Sequence, residues 1–384
     1  MRIGFIEDTH LHGGTQIWVA EAVDAFLEQN QDVSILAPQG SWIIEQCQHT
    51  NAAIFSYDWD EVVHKSPHAQ EIWINALKDC DVAICTVHPP RDDFHCAIFA
   101  AFCIKKGGLK THLIPKTGTI VPNYRREFYM PDETLQSSVI AIADFTRKYL
   151  VETYKIPADK VALIYQGTDI ERFRHSENAW NESQNRYLLP HDASPILGAI
   201  GSFEKRKGHS ILFEALKELV SDDLPNAHLM VVGDGPDEMM LKEKVRTLGL
   251  EANVSFFPFT DNPALVFERV DMTILPSLYK EGLPNVLLES MSMGVPVVSS
   301  NIGGVSEIVF DGETGYIVQP GNKSALANAI KTLWADQDAY QEMKIKTRKL
   351  ITENFNKETQ FSKFISYFQS QLLSRENKIN PNKH

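Results

Sequence analysis

The run Lys280-Glu281-Gly282-Leu283-Pro284-Asn285-Val286-Leu287-Leu288-Glu289 sets two carboxylates on either side of a Gly-Leu-Pro turn. A short apolar strand over Thr273, Ile274 and Leu275 leads into it, and a second, Val295-Pro296-Val297-Val298, follows. Strand, tight turn, helix and strand in that order form the repeating unit of a parallel α/β sheet. A glycine turn that opens a helix at the end of a strand presents backbone N–H groups to an anion. The flanking acids suit hydroxyl groups. The stretch therefore predicts an α/β fold and a ligand that carries both negative charge and hydroxyls.

The same alternation extends outward in both directions. Toward the N-terminus, strands are expected at Arg2–Glu7, Val33–Pro38, Ala52–Tyr57, Asp81–Val87, Thr111–Pro115, Val139–Ala143 and Val161–Gln166. Helices fit near Thr15–Gln29, Ala69–Lys78, His95–Lys106 and Phe145–Tyr154. The polar, Asn- and Ser-rich segment Arg172–Ser194 reads as a boundary between domains. Strands then resume at Ile196–Ile200, His228–Gly233, Val254–Phe257, Met272–Leu275, Val295–Ser299 and Gly315–Val318. Their helices are His209–Leu219, Glu238–Leu248, Pro263–Glu268, Asn285–Met293 and Lys323–Trp334. The expected units are residues 1–172, closed by a C-terminal helix over 356–374, and residues 190–352, with a flexible tail at 375–384.

Composition narrows the function classes. A chain of 384 residues with 43% hydrophobic and 23% charged residues is long enough for two buried cores. The net charge of −13 argues against nucleic acid as a partner. The cysteines (Cys47, Cys80, Cys85, Cys96 and Cys103) contain no C-x-x-C pair and read as buried thiols in a reducing compartment. The chain opens on the strand Met1-Arg2-Ile3-Gly4-Phe5-Ile6, which leaves no room for a signal peptide. Its longest apolar run, Ala97–Ile104, falls short of the ~20 residues a membrane span needs. The expected location is cytoplasmic, peripheral on the inner face of a membrane at most.

Several other clusters are candidates for chemistry. His12-Gly13-Gly14-Thr15 opens the first helix and can bring backbone N–H groups to a phosphate. His10 and His12 near Asp8 have the spacing that begins some metal sites, but no second ligand cluster accompanies them, and no metal is expected. Gly201-Ser202-Phe203-Glu204-Lys205-Arg206-Lys207-Gly208 puts three consecutive cations in a loop at a strand end, a natural diphosphate clamp. Gly233-Asp234-Gly235-Pro236, and Gly303-Gly304 with Glu307, repeat the strand-end turn. Basic residues from Lys105 to Arg126 interleave with Tyr124, Phe128, Tyr129 and Met130, which suits a membrane surface or an anionic acceptor over 105–130.

The second half resembles the retaining glycosyltransferases of family 4, the glycosyl transferases of group 1. The resemblance rests on Lys207-Gly208, Gly233-Asp234-Gly235-Pro236, the Glu281–Glu289 run, Gly294-Val295-Pro296-Val297-Val298, Gly303-Gly304 and Gly312-Glu313-Thr314-Gly315, in that order. In the first half, His12-Gly13-Gly14 looks like the family's glycine loop, and Val161–Asp169 like its inter-domain signature. The resemblance implies the GT-B fold, with two Rossmann-like parallel-sheet domains facing each other across a cleft. It implies transfer of a hexose from a nucleotide-sugar donor, UDP-linked, to a lipid-linked or glycan acceptor, with retention at the anomeric carbon and no cofactor. By the same resemblance Glu281 contacts donor-sugar hydroxyls and Glu289 the ribose. Lys207, with Arg206 and Ser202, meets the diphosphate, as do the amides across Gly282, Leu283, Pro284, Asn285 and Val286. Gly14 lies against the donor from the first domain.

Two departures stand out. Ser202 takes the place of the family's usual arginine, for which Arg206 can substitute. Lys116-Thr117-Gly118-Thr119 stands where many members carry a histidine, and His88 is the nearest substitute as a catalytic group. Asp58-Trp59-Asp60 matches the D-x-D pattern of a different glycosyltransferase architecture and reads here as a solvated loop. Two alternatives stay open: a GT-B nucleotide-sugar epimerase and a metal-dependent hydrolase built on His10 and His12.

Overall fold

The computed structural model describes residues 1–10, 13–118, 125–135 and 138–379. The chain forms two compact units, Met1–Tyr165 with Glu358–His384, and Gln166–Lys357.

The first unit is built on seven strands: β1 (Arg2–Ile6), β2 (Asp32–Pro38), β3 (Ala53–Tyr57), β4 (Val82–Thr86), β5 (His112–Lys116), β6 (Val139–Ala141) and β7 (Val161–Leu163). They lie in the order β3-β2-β1-β4-β5-β6-β7, every pair parallel. Ile3 stands opposite Val33 on one side and Val82 on the other. Parallel strands buried on both faces read as unbroken apolar runs, and β1 and β4 do. The chain moves outward through β2 and β3, then returns to lay β4 beside β1. Strand order therefore reverses between β1 and β4, which opens a crevice at their C-terminal ends.

One face of this sheet is covered by Trp18, Val23 and Phe26 of the helix Gly14–Glu28, and by Phe361, Phe364 and Phe368. The last three belong to the closing helix, Lys357–Ile379. Phe361, Phe364, Ile365 and Phe368 share one stripe of that helix, at the spacing an amphipathic helix needs. Trp18 packs 5.2 Å from Phe364 between ring centroids, and its indole N–H donates to Gln360. This packing assigns the last helix to the first unit.

The second unit has six strands: β8 (Ile196–Ile200), β9 (His228–Val232), β10 (Val254–Phe257), β11 (Met272–Leu275), β12 (Val297–Ser300) and β13 (Gly315–Val318). They run parallel in the order β10-β9-β8-β11-β12-β13. Here the order reverses between β8 and β11. Leu212, Phe213 and Leu216 of the helix His209–Ser221 cover one face of the sheet, and Phe173, Tyr187 and Phe267 cover the other.

Four local readings are corrected. Arg172–Ser194 is not a bare linker: Glu177–Arg186 forms a helix capped by Ser176, inside the second unit, and its single buried residue, Ser183, leaves no apolar stripe to read in the sequence. Gln337–Asn354 is an unexpected helix, masked in the sequence by charge because its inward stripe is only Tyr340, Met343, Thr347 and Ile351. The closing helix continues to Ile379, into the stretch expected as tail. Asp58-Trp59-Asp60 is a helix start rather than a loop, with the Asp58 carboxylate accepting from the Glu61 N–H.

In the basic-aromatic segment, the aromatics among the described residues are interior. Phe128, Tyr129 and Met130 are core residues. Lys105 pairs with Asp132, Arg125 with Glu127 and Arg126 with Glu133, so much of the local positive charge is neutralised within the segment. Tyr124 lies outside the described residues. Among the described residues, no helix is long and apolar enough to cross a membrane.

Candidate active site

In the second unit, the reversal between β8 and β11 brings together two loops that the chain separates widely. After β8 the loop turns through the short helical segment Lys205–Lys207. Gly208 ends it with φ +72°, where a Cβ would overlap the Pro276 carbonyl oxygen. That close approach lets the Leu278 N–H donate to the Arg206 carbonyl and ties this loop to the one after β11.

The side chains then converge. Lys207 Nζ donates to Glu281 Oε1 at 2.7 Å, and Ser277 Oγ donates to the same oxygen at 2.8 Å. Arg206 lies 3.7 Å from it. All three contacts use Oε1, and among the described residues no contact engages Oε2 of this carboxylate, which is held in one orientation. Glu281 and Lys207 are largely buried, with side chains 9% and 15% exposed. Such a pair is far less screened than a surface one.

The clamp differs from its expected form in one respect. Glu204 sits inside it, accepting from Ser202 Oγ at 2.7 Å and from Arg206 Nε at 2.8 Å. Hydrogen bonding from Arg206 holds the Glu204 carboxyl below its usual range despite some burial. Ser202 therefore orients Glu204 rather than standing in for an arginine, and Lys205 points to solvent. His209, next along the chain, is buried and held neutral, its pKa pushed down to about 4 by burial and by the Lys207 charge.

The turn at 281–284 is buried at Gly282, Leu283 and Pro284. Gly304 N–H donates to the Gly282 carbonyl at 2.7 Å, and Gly303, at φ +56°, has no room for a Cβ against the Glu281 and Gly282 carbonyls. The second glycine pair is thus a strut for the first turn. The helix Asn285–Ser292 begins at Pro284, so the N–H groups of Asn285 and Val286 precede its first internal acceptors. Glu289 lies one turn further along, half-buried.

In the first unit, the β1/β4 crevice holds a second cluster. Asp8, just past β1, accepts from His88 Nδ1 at 2.7 Å, and His88 Nε2 faces Thr15 Oγ1 at 3.3 Å. Thr15 donates to Gln16 Oε1, and Gln16 Nε2 donates to Glu7 Oε2. Lys116 ends β5 fully buried, its ammonium 3.9 Å from the centre of a Trp18 ring. Burial pushes its pKa down to about 8, opposed by the Glu7 charge. Lys116 and Thr117, in the stretch where many members of the family carry a histidine, are therefore interior; Thr119 lies outside the described residues. Gly14 is exposed at the first position of its helix.

His10 Nε2 donates to the Gln39 backbone carbonyl at 3.1 Å, and His12 lies outside the described residues. Among the described residues there is no grouping of three metal-ligating side chains. All five cysteines are free and buried, with the Cys85 and Cys96 sulfurs 2.9 Å apart beside Asp8. Ser277, Glu7 and Gln16 escaped the sequence reading, which named Asp8 and Glu204 without their partners. The topology is the signal that finds them, since each follows or faces a strand at a reversal point.

Two parallel Rossmann-like units in tandem, each with its polar cluster at the strand-order reversal, are the architecture of the GT-B fold. HepE from Anabaena, solved in complex with UDP, superposes over 96% of this chain and 100% of its own, with a TM-score of 0.84 and 17% identity. Residues 182–350, within the second unit, match the family model of the glycosyl transferases group 1. N-acetyl-alpha-D-glucosaminyl L-malate synthase from Bacillus anthracis is 30% identical over 186 residues. The capsular polysaccharide biosynthesis glycosyltransferase CapM from Staphylococcus aureus is 24% identical over 247. These alignments cover 48% and 63% of this chain, and 48% and 64% of the relatives, so the chain spans about half to two thirds of their length.

Proposed function

We propose that this chain is a retaining glycosyltransferase that moves a hexose from a UDP-sugar to a lipid-linked or glycan acceptor. The observation that carries the reading is Glu281, with Oε1 anchored by Lys207 and Ser277 and Oε2 left to accept a hydroxyl. A carboxylate fixed in this way orients a sugar without reorganising as the reaction proceeds.

In the transfer, the bond from the anomeric carbon to the donor phosphate oxygen breaks as the bond to the acceptor oxygen forms, and the acceptor hydroxyl's proton passes to the departing diphosphate. Positive character grows at the sugar and negative charge on the departing diphosphate. Lys207, Arg206 and the N–H groups opening the helix Asn285–Ser292 are the groups placed to stabilise that charge. Glu289 takes the ribose; in the first unit Gly14 is the donor-side residue and His88 the acceptor-side one. UDP in HepE and the polysaccharide role of CapM support the choice of base and acceptor class.

The test is a thermal-shift and product screen against nucleotide-sugars that vary base and sugar separately. A stabilising shift with UDP-hexoses, and hexose transfer to an added acceptor, is the expected result. Conversion of the donor with no acceptor present would favour the epimerase instead.

A further inference from the structure

The hydrogen-bond chain around His88 determines where its protons lie. Glu7 Oε2 accepts from Gln16, so the amide nitrogen faces Glu7 and the amide oxygen faces Thr15. That holds when Glu7 is ionised and when its proton sits on Oε1, which has no hydrogen-bond partner among the described residues. The single hydroxyl hydrogen of Thr15 is then spent on Gln16 Oε1. What Thr15 offers His88 Nε2 is a lone pair, so Nε2 must bear hydrogen. On the other side, Nδ1 faces Asp8 at 2.7 Å. Burial opposes ionisation of Asp8, but the His88 hydrogen bond and charge outweigh it and hold the carboxyl below its usual range. A carboxylate only accepts, so Nδ1 bears hydrogen as well.

Resting on the transferase reading, we infer that His88 is an imidazolium, a fixed cationic donor at the edge of the β1/β4 crevice, and not the base that deprotonates the acceptor. Asp8, Thr15, Gln16 and Glu7 are positioning residues that act through it.

The surrounding charges agree. Burial disfavours the charge on His88, and Asp8 and Glu7 on the β1 side outweigh both that and the opposing Arg91 beyond β4, so its pKa lies above that of an ordinary histidine. Lys116, on β5, faces Glu7. On the helix Cys96–Lys106 side, His95 is held neutral by burial, its pKa near 4, and stacks on Phe128. The Cys85 and Cys96 thiols keep their protons, Cys96 through its bond to Cys85 and its burial, and Cys85 through burial. A buried cation beside a helix N-terminus favours an anionic oxygen as ligand, such as a phosphate or carboxylate group.

The test is a pH titration of the ring ¹⁵N–¹H signals in the full chain, with His88 assigned by their loss in His88→Gln. Both ring nitrogens of His88 should carry protons at pH 7, with a midpoint above the ordinary ~6.5. Gln16→Met frees the Thr15 hydrogen to turn toward Nε2 and should lower that midpoint. Asp8→Asn should lower it by a unit or more, a tenfold change in the protonation ratio. A singly protonated ring at pH 7, or a midpoint unmoved by Gln16→Met, overturns the inference, and both readings remain decisive if Asp8→Asn fails to fold. Transfer that declines as pH rises through the midpoint supports the cationic role, and transfer that rises through it refutes it. The titration needs no donor, so a chain inert with every nucleotide-sugar would sink the transferase reading and leave the titration result standing.

Discussion

Lys207 and Glu281, 74 residues apart in the chain, meet at 2.7 Å across the strand-order reversal of the second unit. Neither side chain reaches the other unless β11 lies beside β8 and Gly208 lets the two loops touch. The pair is therefore a readout of the fold as well as a candidate donor site. Glu281→Ala should cut transfer at least 100-fold, the scale seen when one pre-placed electrostatic group is lost. The variant should still fold, with a far-ultraviolet circular dichroism spectrum matching wild type. Near-wild-type turnover would remove Glu281 from the site.

Gly208→Ala is expected to destabilise the second unit by about 1–3 kcal/mol. The backbone there is left-handed, and the added methyl group would collide with the Pro276 carbonyl oxygen. Differential scanning calorimetry should show a clear fall in the melting temperature, whereas the same change at Gly249, also at positive φ but with open space around it, should cost less.

Lys116→Met should stabilise the first unit at neutral pH. The folded-state pKa of Lys116 is depressed to about 8, so from about 8 to the unfolded value near ~10.5 the unfolded chain holds the extra proton. Wild-type stability therefore climbs with pH across that window, while the methionine variant lacks this climb. The gain in melting temperature should be largest below pH 8 and shrink toward pH 10.5. A gain independent of pH would mean that burial is not what depresses this lysine.

Phe364→Ala tests the assignment of the closing helix. Phe364 is fully buried against Trp18, and removing a buried phenylalanine ring costs about 3–5 kcal/mol. Urea unfolding followed by tryptophan fluorescence should report the loss in the first unit. An exposed helix would lose almost nothing.

Much of this architecture is legible in the residues. Every expected strand is present, because parallel strands buried on both faces leave unbroken Val/Ile runs such as Val82–Thr86 and His228–Val232. The Glu281 turn and the Lys205–Lys207 loop are legible for a local reason: glycine, proline and charge at a strand end mark a turn. Helices that bury only a thin stripe under many charges, such as Gln337–Asn354, are not. Partnerships are harder still. Glu204 reads as one more acid in a charged loop until its distances to Ser202 and Arg206 are known, and Asp8 has no evident partner until β4 places His88 beside it. Aromatic burial was the other blind spot, since Phe128 and Tyr129 follow two arginines yet point into the core.

The most direct test is isothermal titration of UDP into the wild-type chain and into Lys207→Met. If the loop after β8 is the diphosphate clamp, UDP binds the wild type and the variant loses at least tenfold in affinity, about 1.4 kcal/mol. Equal UDP affinity in the two proteins, with Lys207→Met folded, would contradict the placement of the donor at the Lys207–Glu281 pair.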